Sequence, residues 1–366
     1  MDPFTHGVAS FALQRAFFPK AKLLTVLAII FAGLLADIDW FSYLFGPSTY
    51  LAWHGSATHS LAGAVIVSLI AAALPFLLLI TFGLAGWGGS VIPHGGGADT
   101  QPGEDLQSTV RQEMKILACA LLLATLASAL LHLMMDLCQS DGVALLWPFT
   151  SRRFALDLLP TIEPWLLTIL IAAIVFPELF RLVSDEIGAR SKRPRGRNGA
   201  FVGLTLAALY IGLRALLHAN TVAALEARTI AGETPHRAAA FPDSTSPFHW
   251  HSIVETESAL NLVLMRSMGG EVSYASGVTT LHKPEPSPML SAAQTSHSGV
   301  ELLKFARFPK ATVQTETEGY SVEIQDLKDQ AAEEKSRAIF ADINLDKNFR
   351  VVSAELQWQK DASSSH

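Results

Sequence analysis

The chain has 366 residues, half of them apolar, with 16% charged residues and a formal net charge of -6. An ordinary soluble domain carries about 25% charge, and an acidic balance speaks against a dedicated nucleic-acid binder. The two cysteines, Cys119 and Cys138, have no partner at a zinc or redox spacing, so no disulfide framework is implied.

The shortage of charge is uneven. Residues 1–220 are a series of apolar runs, and residues 221–366 have ordinary soluble composition. The break predicts two domains. In chain order, an apolar amphipathic stretch over 4–18 is broken by Pro19, and LLTVLAIIFAGLLA (23–36) follows. Each is about 14–15 residues, or roughly 22 Å of helix. The pair reads as a helical hairpin turning at 18–22. ADIDW ends the second run with no small-residue cleavage pattern, against a signal peptide. Further runs at about 60–85, 114–135, 164–180 and 199–218 approach or exceed the roughly 20 apolar residues that a bilayer needs. The Gly- and Pro-rich stretch 86–112 reads as a connector.

Lys and Arg in short loops set orientation. Residues 189–199 contain Arg190, Lys192, Arg193, Arg195 and Arg197, which predicts a cytoplasmic loop. Counting outward from it gives six spans, with the N-terminus and residues 219–366 outside. Arg15, Lys20 and Lys22 then also fall inside, although they played no part in the assignment.

Ionisable groups near membrane spans are costly and are functional candidates. His6, Asp37, Asp39, His54, His59, His132 and Asp136 all come out at the outer face under this topology. All are residue types that bind zinc. His132 and Asp136 are i,i+4 and share a helix face. Asp37 and Asp39 can reach one site if the chain there is extended. His59 is expected on the first turn of the third span, with Thr58 or Ser60 as its N-cap, and His54 in the approach. Taken singly, each group has a plainer reading, as an interfacial imidazole or a helix-end carboxylate in water. Their collection at one face predicts a shared site for two or three divalent ions, zinc by ligand type. His94, His218, His249 and His251 lack such company. His249 and His251 alternate as on one face of a strand.

Downstream, Phe241 to Trp358 reads as antiparallel strands, with hairpins over 311–328 and 336–358 and a turn at Asp346-Lys347-Asn348. ELLKFARFP (301–309) reads as a short helix. DINLD lacks the glycine and terminal Glu of an EF-hand, and DASSSH reads as a disordered tail. The predicted fold class is mainly α: a polytopic helical membrane domain (1-220) of about six helices, with a metal cluster at its outer face. A C-terminal α+β extracytoplasmic domain (221-366) follows.

The stretches MDPFTHG, GLLADIDW (33–40), HGSATHS (54–60), LLHLMMD (130–136) and DGVALLWPFTSRRFALD (141–157), in that order, resemble the YdjM-like inner-membrane metal-dependent hydrolases. The resemblance covers roughly residues 1–165. That family looks related to the zinc phospholipase C and P1-nuclease group. The resemblance implies that His6, Asp37, Asp39, His54, His59, His132 and Asp136 hold metal in a bacterial inner membrane protein. Gly55 stands where relatives tend to have Arg, Ala36 where they have Pro, and Glu163 where they have Asp.

The function expected is hydrolysis of a membrane lipid or other phosphoester by metal-activated water. Arg152 and Arg153 are expected to hold substrate phosphate, or to be interfacial anchors. Asp37, Asp157 and Glu163 are the candidates for catalytic acid–base work. Leu126 stands where a PAP2-type phosphatase needs Arg, and HExxH and G-x-S-x-G are absent. The alternative is a non-catalytic metal-binding or transport protein, or a scaffold presenting the outer domain. A transporter should carry ionisable groups near mid-span, where these spans are nearly bare.

Overall fold

A computed structural model describes residues 1–81, 104–186, 196–230, 232–331 and 338–359. The connector up to residue 103, the basic residues 190–195 and the tail 361–366 lie outside the described residues.

The N-terminal half is helical. Helix α1 (Pro3–Phe17) starts where Asp2 caps it. Its carboxylate accepts from the Thr5 amide at 2.9 Å, and Pro3 occupies the first turn, where no N–H is needed. Helix α2 (Leu23–Leu34) runs into a 3₁₀ helix (Leu35–Phe45), followed by the short α3 (Pro47–Trp53). Helices α4 (Leu61–Thr81), α5 (Glu104–Leu137), α6 (Pro164–Glu186) and α7 (Arg197–Glu226) complete the bundle. Among the described residues, three segments are long and apolar enough to cross a membrane: Leu23–Phe45, Lys115–Leu137 and Arg197–Glu226. Leu61–Pro75 and Pro164–Phe180 are shorter apolar stretches. Large apolar side chains such as Leu69 and Ile70 of α4 and Leu209 of α7 face outward. Such a surface suits hydrocarbon rather than water.

Gly33 brings three helices together. A Cβ placed on it would lie 1.9 Å from Ser10 Oγ and 2.9 Å from Ser128 Oγ. Ser128 spans the junction, donating to Ile29 O at 2.7 Å, with Ser10 Oγ 2.9 Å from its own hydroxyl oxygen. Small residues at such a crossing allow close backbone approach.

The C-terminal half holds two antiparallel sheets. The first has five strands: β1 (Arg237–Pro242), β2 (His249–Glu255), β3 (Ala259–Met268), β4 (Glu271–Tyr274) and β5 (Thr279–His282). Strands β4 and β5 both pair with β3. One side of this sheet packs on the end of α7, through Trp250, Val254, Leu217 and Leu225. Helices α8 (Pro288–Thr295) and α9 (His297–Leu303) follow. The expected helix at 301–309 ends at Leu303 instead, and strand β6 begins at Pro309 because its residues pair with β7. The second sheet is a meander of β6 (Pro309–Glu316), β7 (Gly319–Asp326), β8 (Ile339–Asp346) and β9 (Val351–Trp358), with the short α10 (Leu327–Ala331) after β7. In β8, Ile339, Ala341, Ile343 and Leu345 alternate inward, the two-residue period of a half-buried strand. Tyr50 of α3 joins their core.

The two halves are tied by charge. Arg307 grips Asp157 with two bonds of 2.7 Å. Lys328 Nζ lies 2.6 Å from Asp141 Oδ1. Arg214 of α7 donates to Leu158 O at 2.9 Å and also to Pro247 O, and lies 4.2 Å over the Trp250 ring.

Candidate metal centre

The start of α1, the end of α2, the turn before α4 and the end of α5 meet at one end of the bundle. His6, Asp37, His132 and Asp136 come from three of these, and their ligand atoms all lie within 4.8 Å of one another. His59 reaches the same point from the fourth. Its Nε2 is 3.1 Å from His132 Nε2, 3.0 Å from Asp136 Oδ2 and 3.7 Å from Asp37 Oδ1.

The other nitrogen of each of these two rings is committed. His132 Nδ1 lies 2.8 Å from the carbonyl of Gly33, to which it can only donate. His59 Nδ1 lies 2.9 Å from Asp39 Oδ2. With both rings neutral, each then presents an Nε2 lone pair to the other. Two lone pairs and two carboxylates at this spacing repel unless a positive charge lies among them. Anchoring one imidazole nitrogen to a carbonyl or carboxylate is how proteins orient histidine ligands. His6 stacks on His132, with ring centroids 3.8 Å apart, and its Nε2 is 3.1 Å from Asp136 Oδ1. His6 Nδ1 and Asp37 Oδ2 are buried without a protein hydrogen-bond partner. Open donor atoms, imidazoles and carboxylates together fit a divalent cation.

The local chain differs from the expectation at two points. Asp37 and Asp39 sit on a 3₁₀ helix, not an extended segment. The tight winding sends their side chains to different partners, Asp37 to the cluster and Asp39 to the loop behind it. Asp39 accepts from the Gly55 amide at 2.9 Å and from Thr58 Oγ1 at 3.0 Å, and lies 3.3 Å from His54 Nδ1. His59 precedes the helix and is not on its first turn. Ser60 is the cap, accepting from the Gly63 amide at 2.9 Å. His54 closes α3 and stacks on Tyr50 at 4.6 Å. Gly55 has φ +68°, the left-handed region that favours glycine. A Cβ there would meet Gly142 O at 3.0 Å and Arg153 Nη1 at 3.7 Å.

A cavity of about 210 Å³ opens over the cluster, lined among others by Asp37, Trp40, His54, His59, Asp136 and Gln139. Gln139 was missed in the sequence. It lies three residues beyond Asp136, in the turn that closes α5, and donates to Asp136 Oδ1 at 2.5 Å. The Met1 amino group reaches the same oxygen.

Asp157, Glu163, Arg152 and Arg153 are not among the residues lining this cavity. Asp157 is held by Arg307. Burial lowers the basicity of that guanidinium, but its bonds to Asp157 outweigh this and leave its pKa raised. Glu163 Oε1 accepts from Tyr210 Oη at 3.0 Å and from the Trp165 amide at 3.2 Å, and burial pushes its pKa up. Arg153 Nη2 donates to Leu51 O at 2.8 Å and His54 O at 2.6 Å, which ties it to the chain entering the site. Burial lowers its pKa. Arg152 stacks over the Phe154 ring at 5.5 Å.

No curated protein and no solved structure matches the chain. Residues 1–221 match the family model described as YdjM inner membrane protein, and the chain therefore belongs to the YdjM family of inner membrane proteins.

Proposed function

We propose that the protein is a membrane-embedded, metal-dependent hydrolase of phosphoesters, with its centre at the outer face of six spans. The observation that carries this reading is the facing pair of Nε2 atoms of His59 and His132, 3.1 Å apart, each ring anchored through Nδ1. His6, Asp37, His59, His132 and Asp136 would hold zinc or a similar divalent ion. Such an ion supplies Lewis-acid charge and a nucleophile from water at neutral pH. The chain does the positioning. Gly33 O and Asp39 fix two rings, and Gln139 fixes the Asp136 carboxylate. Asp37, which lines the cavity and whose Oδ2 has no protein hydrogen-bond partner, is the group placed to accept a proton.

The orientation is supported by charge. Arg15 pairs with Glu178, and Arg197 donates to Ala16 O, both at the end of the bundle opposite the cluster. Lys20 and Lys22 lie in the turn at that end. This is the cytoplasmic pattern. On this reading the cluster and the C-terminal sheets lie on the periplasmic side.

Elemental analysis of purified protein tests the proposal. Wild type should carry bound zinc or a similar metal, and His59→Ala and His132→Ala should lose it. A metal-bound wild type should then cleave a member of a phosphoester panel. Metal-free wild type sinks the reading.

A further inference from the structure

An apolar groove adjoins the polar cavity at Pro3. A groove of about 330 Å³ runs between Phe4, Val8 and Phe11 of α1, Leu34 of α2, and Ile171 and Val175 of α6. Every residue along it is apolar, and Phe4, Ile171 and Val175 are themselves exposed. Pro3 lines both the groove and the cavity over the His/Asp cluster. Both walls run directly into the centre: Phe4 is two residues before His6, and Leu34 is three before Asp37. At the mouth of the polar cavity stand Trp40 and Ile162, 48% and 60% exposed. An exposed tryptophan there suits the membrane–water boundary.

From this adjacency we infer that the groove takes one acyl chain of a membrane phospholipid, whose phosphate then lies at the His/Asp cluster. The inference rests on the hydrolase reading and names its substrate class. A groove between helices whose outer faces are apolar opens to hydrocarbon. A water-soluble phosphoester has no use for it. A helix from a second copy does not fit. Over the roughly 12 Å from Pro3 to Phe11, a helix about 10 Å across would fill about three times the groove's volume. A molecule with one polar head and a slender apolar chain matches both compartments and their junction. The lipid enters sideways from the outer leaflet and keeps its chain in the bilayer.

The test uses the full chain in lipid nanodiscs containing a phospholipid with a photoactivatable diazirine in its acyl chain. Labelling should concentrate on the Phe4–Phe11 and Ile171–Val175 peptides over the lipid-facing surface of α7. Ile171→Trp/Val175→Trp fills the groove from α6, which bears no metal-ligand candidate. It should cut that labelling to the level seen on the lipid-facing surface of α7, because the two indole rings occupy the space the chain would take, while metal content stays at the wild-type level. If that variant loses metal, and so is misfolded, Phe11→Trp fills the groove from the opposite wall and is held to the same standard. Labelling spread evenly over the helices, unchanged by either substitution, or joining two copies at this groove overturns the inference. Groove labelling in a metal-free wild type overturns the hydrolase reading and leaves the groove as a lipid site. Bound metal with no groove labelling does the reverse.

Discussion

Asp39 Oδ2 stands 2.9 Å from Nδ1 of His59, and through that bond it aims the opposite nitrogen of the ring at Asp136 and His132. The same carboxylate takes the Gly55 amide and lies against His54. Asp39 thus orients the loop that delivers His59, and Asp37 faces the cluster. Asp39→Asn keeps one accepting oxygen and turns an amide donor toward groups that also donate. Metal affinity, measured by chelator competition, should fall about 10–100-fold, the usual effect of losing such a support. His59→Ala should abolish binding at that position. An Asp39→Asn protein that loses metal as completely as His59→Ala would make Asp39 a direct ligand.

Gly33 links bundle packing to the centre. Its carbonyl holds His132 Nδ1, and its missing side chain leaves room for Ser10. Gly33→Ala drives a methyl into Ser10 Oγ. Overpacking of this kind costs about 1–3 kcal/mol, and moving α2 shifts the Gly33 carbonyl. Both the melting temperature and the metal affinity should drop. Ser10→Gly in the same protein removes the nearest clash and should restore most of both. No rescue would mean that the helices do not approach as closely as this contact requires.

Asp157 has φ +56° and both carboxylate oxygens on Arg307, which is a third exposed. Removing one partner of a buried pair costs about 3–5 kcal/mol. Partial solvation of the arginine brings the expectation for Arg307→Ala to about 2 kcal/mol. Asp157→Asn should be milder, because Asn tolerates positive φ. Both variants should expose the sheets to limited proteolysis while keeping their metal. Asp157→Asn with unchanged stability and no turnover would instead give Asp157 the catalytic role that its sequence position suggests.

The sequence made the helix-end residues legible because membrane spans are long and bare, so that each polar group at their ends stands out. His6, Asp37, His59, His132 and Asp136 could be picked out one by one from that contrast. Their convergence followed only from counting spans. The local conformations were less legible. ADIDW alternates like a strand edge, yet it winds as 3₁₀ because α2 continues into it. The partners of Asp157 and Glu163 lie 150 and 47 residues away in the chain. No local spacing signals such a pairing, so two carboxylates near the expected site read as catalytic candidates. Gln139 carried a local signal, its i,i+3 relation to Asp136, which the search for metal-binding residue types passed over.

Glu163 gives a prediction in pH. Its carboxyl is 1% exposed, and burial raises its pKa, only partly opposed by Arg214, Tyr210 and the amides of α6. An acid whose folded pKa lies above its unfolded value contributes its full stability below the unfolded pKa. That contribution fades as pH rises through the folded value. Glu163→Gln keeps a neutral group of the same shape, which can still accept from Tyr210. From about pH 4 to pH 8, wild type should therefore lose melting temperature relative to Glu163→Gln. Metal content should be equal in the two proteins throughout. A melting-temperature gap that stays constant across this range would mean that Glu163 titrates alike in the folded and unfolded chain, contrary to its burial. If Glu163→Gln matched wild type in stability and metal but could not turn over substrate, the carboxyl would belong to the reaction and not to the packing beneath α6.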